Sequence, residues 1–183
     1  MLEDEAMRTK LFYFFFFTIL LVISRLIPHP PNFTPILATA IIAPLLIKDR
    51  LYGMSIPIIA MFISDFIIGF HTYQFVVYTS VLAISLLAPM RKNFSMFGIM
   101  AIGGSIWFFI TTNFAVWVIW DHYPKTFEGL ITCYTLAIPF FKNTIISTFL
   151  FTSLLLISIK YLEKLNNPTN LYFFNIFIKN NSN

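Results

Sequence analysis

Along this chain, long apolar runs are separated by short polar breaks. Six runs predict six helices: Leu11 to Ile27, Phe33 to Ile47, Leu51 to Phe70, Tyr73 to Met90, Phe94 to Trp120 and Asn143 to Leu162. A membrane-crossing helix needs about 20 largely apolar residues, with a working range of about 17–25. The second run is short and interrupted by Pro35 and Pro44, and the fifth is long enough to tilt or project. A further apolar stretch, Gly129 to Phe141, contains Pro139 and is too short to span comfortably. It reads as a re-entrant or interfacial segment before the sixth helix. A seven-span count is the main rival.

Composition narrows the class. Of 183 residues, 58% are hydrophobic, 19% aromatic and only 11% charged, and the mean hydropathy is +0.79. Soluble domains carry about 25% charged residues. Twenty charged side chains do not cover a folded surface of this size in water, so a soluble enzyme is excluded. Disorder is excluded with it, because disorder needs low hydrophobicity. The single Cys rules out a disulfide framework and a Cys-based zinc site. The net charge of +4 is a question of membrane topology, not of nucleic-acid binding. The first run follows Glu3, Asp4 and Glu5 as well as Arg8 and Lys10. Pro28-His29-Pro30-Pro31 follows it where a signal peptide would show a small-residue cleavage site, so it is expected to be a mature helix.

The basic residues orient the expected bundle. With six spans and the N-terminus inside, the inner segments hold Arg8, Lys10, Lys48, Arg50, Arg91, Lys92, Lys160, Lys164 and Lys179. The outer segments hold only Arg25, Lys125 and Lys142. Nine of twelve cations inside favours both termini in the cytoplasm, whereas a seventh span divides them evenly. The expectation is an all-α, polytopic six-helix bundle in the inner (cytoplasmic) membrane, N-in and C-in. Residues 1–10 form a cytoplasmic N-terminus, 11–162 the transmembrane domain and 163–183 a cytoplasmic or interfacial tail.

The polar residues then sort by side. The inner loops Lys48-Asp49-Arg50 and Arg91-Lys92-Asn93 look like plain basic stops. Groups able to recognise a solute gather outside: Arg25, His29 and Asn32; Asp65, His71, Tyr73 and Gln74; Asn113, Trp117, Trp120, Asp121, His122, Tyr123, Lys125 and Glu128; Cys133, Tyr134, Lys142 and Asn143. An ionisable group within a span is a functional hypothesis by default. Asp65 is the sharpest case. Unpaired, it would cost about 2.5–3.5 kcal/mol on insertion scales, so it is expected to face the bundle and pair with Arg25, Lys142 or His71. Such a pair serves structure as readily as binding. Asn113 and Trp117, four apart, share a helix face where an amide beside an indole suits a ring-containing ligand; an interhelical Asn and a belt Trp are the plainer roles. Asn32 or Thr34 is expected to cap the second helix ahead of Pro35.

Ala38, Ala40 and Ala43 leave a smooth strip on the second helix, and Ala101 and Ser105 repeat the small-residue spacing on the fifth. Such strips pack helices within a bundle or dock another membrane subunit. His29, His71 and His122 fall in three different outer connections and form no metal site by spacing. There is no phosphate-binding Gly-rich loop, no His-Glu-x-x-His and no paired carboxylates on one helix. No enzyme, cofactor or metal is therefore expected.

The segments Pro31-Asn32-Phe33-Thr34-Pro35, Ser64-Asp65-Phe66-Ile67-Ile68-Gly69-Phe70-His71, Thr112-Asn113-Phe114-Ala115-Val116-Trp117, Tyr123-Pro124-Lys125-Thr126, Gly129-Leu130, Cys133-Tyr134 and Ile138-Pro139-Phe140-Phe141-Lys142-Asn143 carry a likeness. Over roughly residues 31–162 the chain resembles a family of small uncharacterised bacterial membrane proteins. That family is in turn similar to the substrate-binding S-components of energy-coupling factor (ECF) transporters. The resemblance implies capture of a vitamin or metal-related micronutrient from outside, a transmembrane coupling subunit and two ATPases as partners, and a toppling motion. In S-components an Ala-x-x-x-Ala motif on the first helix helps docking; the nearest pattern here is Ala38, Ala40 and Ala43, on the second. A cobalamin-binding branch uses a Cys as cobalt ligand, for which Cys133 is the only counterpart.

The expected function is thus a membrane substrate-binding subunit whose site draws on Asn32, Asp65, His71, Asn113, Trp117, Tyr123, Lys142 and Asn143. The alternative is a structural or scaffolding membrane protein with no small-molecule substrate. The discriminator is an enclosed cavity of about 300–1,000 Å³, expected to be lined by Asp65, Asn113, Trp117 and Lys142.

Overall fold

The computed structural model describes residues 2–47, 49–88 and 94–165. Lys48, Arg91, Lys92, Lys179 and the tail from Asn166 lie outside them. Six helices and no strand occupy the described residues: α1 (Leu2–Leu26), α2 (Ile36–Leu46), α3 (Arg50–Ile68), α4 (Gln74–Leu87), α5 (Phe94–Ile119) and α6 (Phe127–Leu165). All-α architecture follows from the apolar runs, and four of the six predicted helices, α2 to α5, start and stop within a few residues of their expected bounds. α1 departs at its start, reaching back to Leu2.

The sixth helix departs further. Gly129 to Phe141 is not a separate segment before the sixth helix; it forms the first turns of a continuous 39-residue α6 with Pro139 inside it. A proline in a helix removes one backbone hydrogen bond and crowds the preceding turn. Neighbouring helices offset that cost here: α6 packs on α5 and α2, and α5 meets it on both sides of the proline through Tyr134 and Phe141.

α2 sits at the centre, packed on α3, α4, α5 and α6, while α1 leans on α3. Ten of the eleven α2 residues are buried, which fits a helix apolar on every face. α5 is equally apolar around its circumference, yet Ile99, Ile102, Ile106, Trp107, Ile110 and Phe114 are exposed. Helices α3, α5 and α6 each hold a stretch long and apolar enough to cross a membrane; Phe14–Leu26 of α1, α2 and α4 are apolar but shorter.

Several hydroxyl groups inside the bundle are satisfied locally, although those of Ser85 and Thr152 find no partner among the described residues. Ser64 donates to Ala60 O (2.8 Å), Ser105 to Ala101 O (2.7 Å) and Thr148 to Thr144 O (2.7 Å), each one turn back. That is how a polar side chain survives without water. Between helices, Ser80 and Thr111 join α4 to α5 at 2.7 Å, and Tyr134 donates to Ile110 O at 2.6 Å to tie α6 to α5.

Gly53 lets α3 approach α2 closely. A Cβ there would collide with the Ala43 carbonyl and lie 2.7 Å from Pro44 Cα. The alanine strip serves the same packing: Ala38 and Ala40 are fully buried and Ala43 is 5% exposed. The strip lies inside the bundle and offers no surface to a docking partner.

Candidate functional site

The ends of α1, α3 and α5 and the starts of α2, α4 and α6 share one end of the bundle. Between them lies a cavity of about 630 Å³, within the 300–1,000 Å³ of small-molecule sites. Its walls come from single helix faces. α5 contributes Phe108, Phe109, Thr112, Asn113 and Val116, with Trp120 just past its end; α6 contributes Cys133, Ala137, Phe140, Phe141, Thr144 and Ser147. Both series recur every three or four residues, the spacing of one helical face. The connections supply His29, Asn32, Thr34, His71, Tyr73 and Tyr123.

The connection from α1 to α2 is pinned by α6. Asn143 donates to Pro31 O at 3.0 Å and Ser147 to Asn32 O at 3.3 Å. Asn32 holds a left-handed backbone, φ 60°, which Asn tolerates better than most residues. Neither Asn32 nor Thr34 caps α2. Pro35 occupies the cap position and no side chain bonds there; the two polar residues line the cavity instead.

The other two connections meet at the rim. The His71 and Tyr73 rings lie 4.3 Å apart, and Tyr73 meets Trp120 edge to face at 6.0 Å. Trp117 donates from Nε1 to Pro124 O at 3.0 Å, and Lys125 Nζ donates to Trp117 O and Trp120 O at 2.5 and 2.6 Å. These bonds terminate α5 and fold its exit loop back on it. At Gly129 a Cβ would collide with the Pro124 carbonyl, so the loop closes against bare backbone. Gly69, at φ 114°, ends α3 in a conformation that suits glycine.

Beneath the cavity lies a polar relay. Arg25 Nη2 meets Asp65 Oδ1 at 2.5 Å, and Arg25 Nη1 donates to Met61 O at 3.4 Å. Tyr78 donates to Asp65 Oδ2 at 2.7 Å, and Gln74 Nε2 donates to the Tyr78 hydroxyl at 2.7 Å. Both carboxylate oxygens are therefore engaged. The Asp65 side chain is 3% exposed and that of Arg25 19%. Arg25 lines the cavity; Asp65 does not. Of the partners open to Asp65 in the sequence, Arg25 is the one in contact. Burial holds the His71 imidazole below its ordinary value, with the charge of Asp65 opposing the shift and that of Arg25 adding to it. Burial also pushes the Tyr73 phenol up.

Four residues expected at the site line the cavity: Asn32, His71, Asn113 and Tyr123. Four do not. Asp65 lies behind Arg25, Trp117 braces the α5–α6 loop, Asn143 holds Pro31, and Lys142 is exposed on α6. The cavity is thus walled differently from the Asp65, Asn113, Trp117 and Lys142 set expected. Arg25, Tyr73, Phe109, Trp120, Phe140 and Ser147 join it instead. Cys133 also lines it; its Sγ lies 3.5 Å from Asn113 O. Among the described residues no three of His, Cys, Asp and Glu come together as a metal site would require.

An all-α bundle with three helices fit to cross a membrane, and a mixed polar and aromatic cavity at one end, defines the class. The chain belongs to the family of unknown function DUF6580, whose model matches residues 5–170. No curated protein matches it, and no solved structure does.

Proposed function

We propose that this protein is an integral membrane subunit that captures a small organic solute, of the size of a vitamin or related micronutrient, in the cavity between its helix ends. The cavity carries the reading. It has the volume of a small-molecule site and few polar groups set among apolar ones, the usual composition of such sites. Exposed Phe, Ile and Leu over α1, α3, α5 and α6 form an exterior suited to lipid and far too apolar for water. The topology proposed is six spans, N-in and C-in, in the inner membrane. It rests on the nine-to-three division of Lys and Arg and puts the cavity on the outer side. An S-component-like protein of this kind would deliver its solute through a transmembrane coupling subunit and ATPases.

Native purification followed by mass spectrometry of released small molecules tests the proposal. A compound is expected with the wild type, and less of it with Asn113→Ala. Arg50→Ala, at the opposite end of the bundle, is expected to retain it. Equal ligand content in the wild type and Asn113→Ala removes the site. No compound under any growth condition favours the scaffold.

A further inference from the structure

The charges and unspent hydrogen-bonding groups of the cavity wall narrow what fits. We infer that, if the cavity is the binding site proposed above, it takes a flat ring compound that is uncharged or carries one negative charge, and rejects cations. Three observations carry this.

First, the wall holds one formal charge, the guanidinium of Arg25, and no Asp, Glu or Lys. The nearest carboxylate, Asp65, is buried with both oxygens engaged by Arg25 and Tyr78. A cation entering would shed its water and meet no free counter-charge, which is costly. An anion or a neutral group meets the partly exposed face of Arg25, the charge nearest the cavity, with Asp65 set behind it.

Second, the wall is aromatic where it is not polar. Phe109 and Phe141 lie 4.5 Å apart at 30°, and Phe108, Phe140, Tyr123 and Trp120 complete the aromatic surface. Ring faces stack on flat ligands. Alone they would also attract a cation, but Arg25 stands in the same wall with the same sign of charge.

Third, several polar groups in the wall are unspent. The side chains of Asn32 and His71 make no hydrogen bond to the described protein, and the Asn113 amide uses only its Nδ2, donating to Phe109 O at 2.8 Å. Amide and imidazole groups beside aromatic faces match the edge of a heteroatom-bearing ring.

A matched set of probes tests the class on the full chain in nanodiscs, with empty nanodiscs as blank: 2-naphthoate, neutral 2-naphthamide, cationic N-methylquinolinium and saturated decalin-2-carboxylate. Equilibrium dialysis is expected to show naphthoate or naphthamide binding at least about tenfold tighter than the quinolinium and the decalin acid, a gap of about 1.4 kcal/mol. A quinolinium or decalin compound that binds as tightly as the aromatic acid and amide overturns the class and leaves the site standing. If no probe binds, the co-purified compound decides: a neutral or singly anionic ring upholds the class, and a cation or a ringless compound overturns it. No probe bound and no compound co-purified removes the site itself.

Discussion

At one end of the bundle Arg25 meets a buried carboxylate and shows part of its guanidinium to a cavity. At the other end Arg50 donates to the Leu86 carbonyl at 2.5 Å and to Ser85 and Ala88 at 3.4 Å, capping the end of α4. A cation at a helix C-terminus is favoured by the helix dipole and the free carbonyls. Asp49 completes that end by accepting from Leu51 N at 3.1 Å. Both arginines tie one helix to another, but only Arg25 lines the cavity. Connection length differs as well for some of the helix pairs. Between α2 and α3 the chain turns in three residues, whereas the α1–α2 and α5–α6 connections are long enough to stand apart and leave a space.

Breaking the cavity-end pair should have the largest effect. Asp65→Ala leaves Arg25 and the Tyr78 hydroxyl without their acceptor. Loss of one member of a fully buried pair costs about 3–5 kcal/mol; because Arg25 reaches the cavity, about 2–3 kcal/mol is expected, measured by thermal or denaturant unfolding in detergent. Arg25→Gln in the same background should recover part of it. Full stability in Asp65→Ala would show that the pair does not hold α1 to α3.

Gly53→Ala tests the tight end. Its new methyl meets the backbone at Ala43 and Pro44, so α2 and α3 must separate at a cost of about 1–3 kcal/mol. Ligand content per folded molecule should not change, since the strain lies away from the cavity.

Arg50→Ala is expected to cost about 1 kcal/mol, the scale of a lost helix-terminal interaction. Its unfolding midpoint should fall while probe binding stays at the wild-type level. An equal loss of binding would mean that the two ends are coupled.

The smallest effect concerns acid. The folded value of His71 lies below its ordinary 6.5, so the unfolded chain takes up the proton first. Its contribution to stability is complete above about pH 6.5 and declines as pH falls from there toward the folded value. His71→Gln should flatten that part of a stability–pH profile; an unchanged profile would assign the slope to other groups.

The helices were legible because an apolar run of sufficient length has few alternatives to a helix. α6 is not, because Pro139 and the polar pair Lys142-Asn143 break the run in two. A proline deforms a helix locally, and neighbours on both sides can hold it. Dividing the run there also hid the face running through Cys133, Ala137, Phe140, Thr144 and Ser147. The loop clusters were legible as polar segments at one end, and Asn32, His71, Asn113 and Tyr123 came from that pattern. Which of their neighbours face inward depends on tertiary contacts. Trp117 and Trp120 are equivalent in composition and three residues apart, yet one is held by the Pro124 carbonyl and the other borders the cavity. Asp65 was marked by its charge, and charge alone did not say whether it faced a ligand or a guanidinium.

The 39 residues of α6 extend about 58 Å at 1.5 Å per residue, against about 30 Å of bilayer hydrocarbon. Even at a steep lean such a rod overshoots the acyl layer. If α6 crosses the membrane as proposed, part of it stands proud among headgroups or in water. If the surplus is at the Phe127 end, it becomes a raised collar around the cavity mouth, and solutes arriving from the aqueous side would meet protein before lipid.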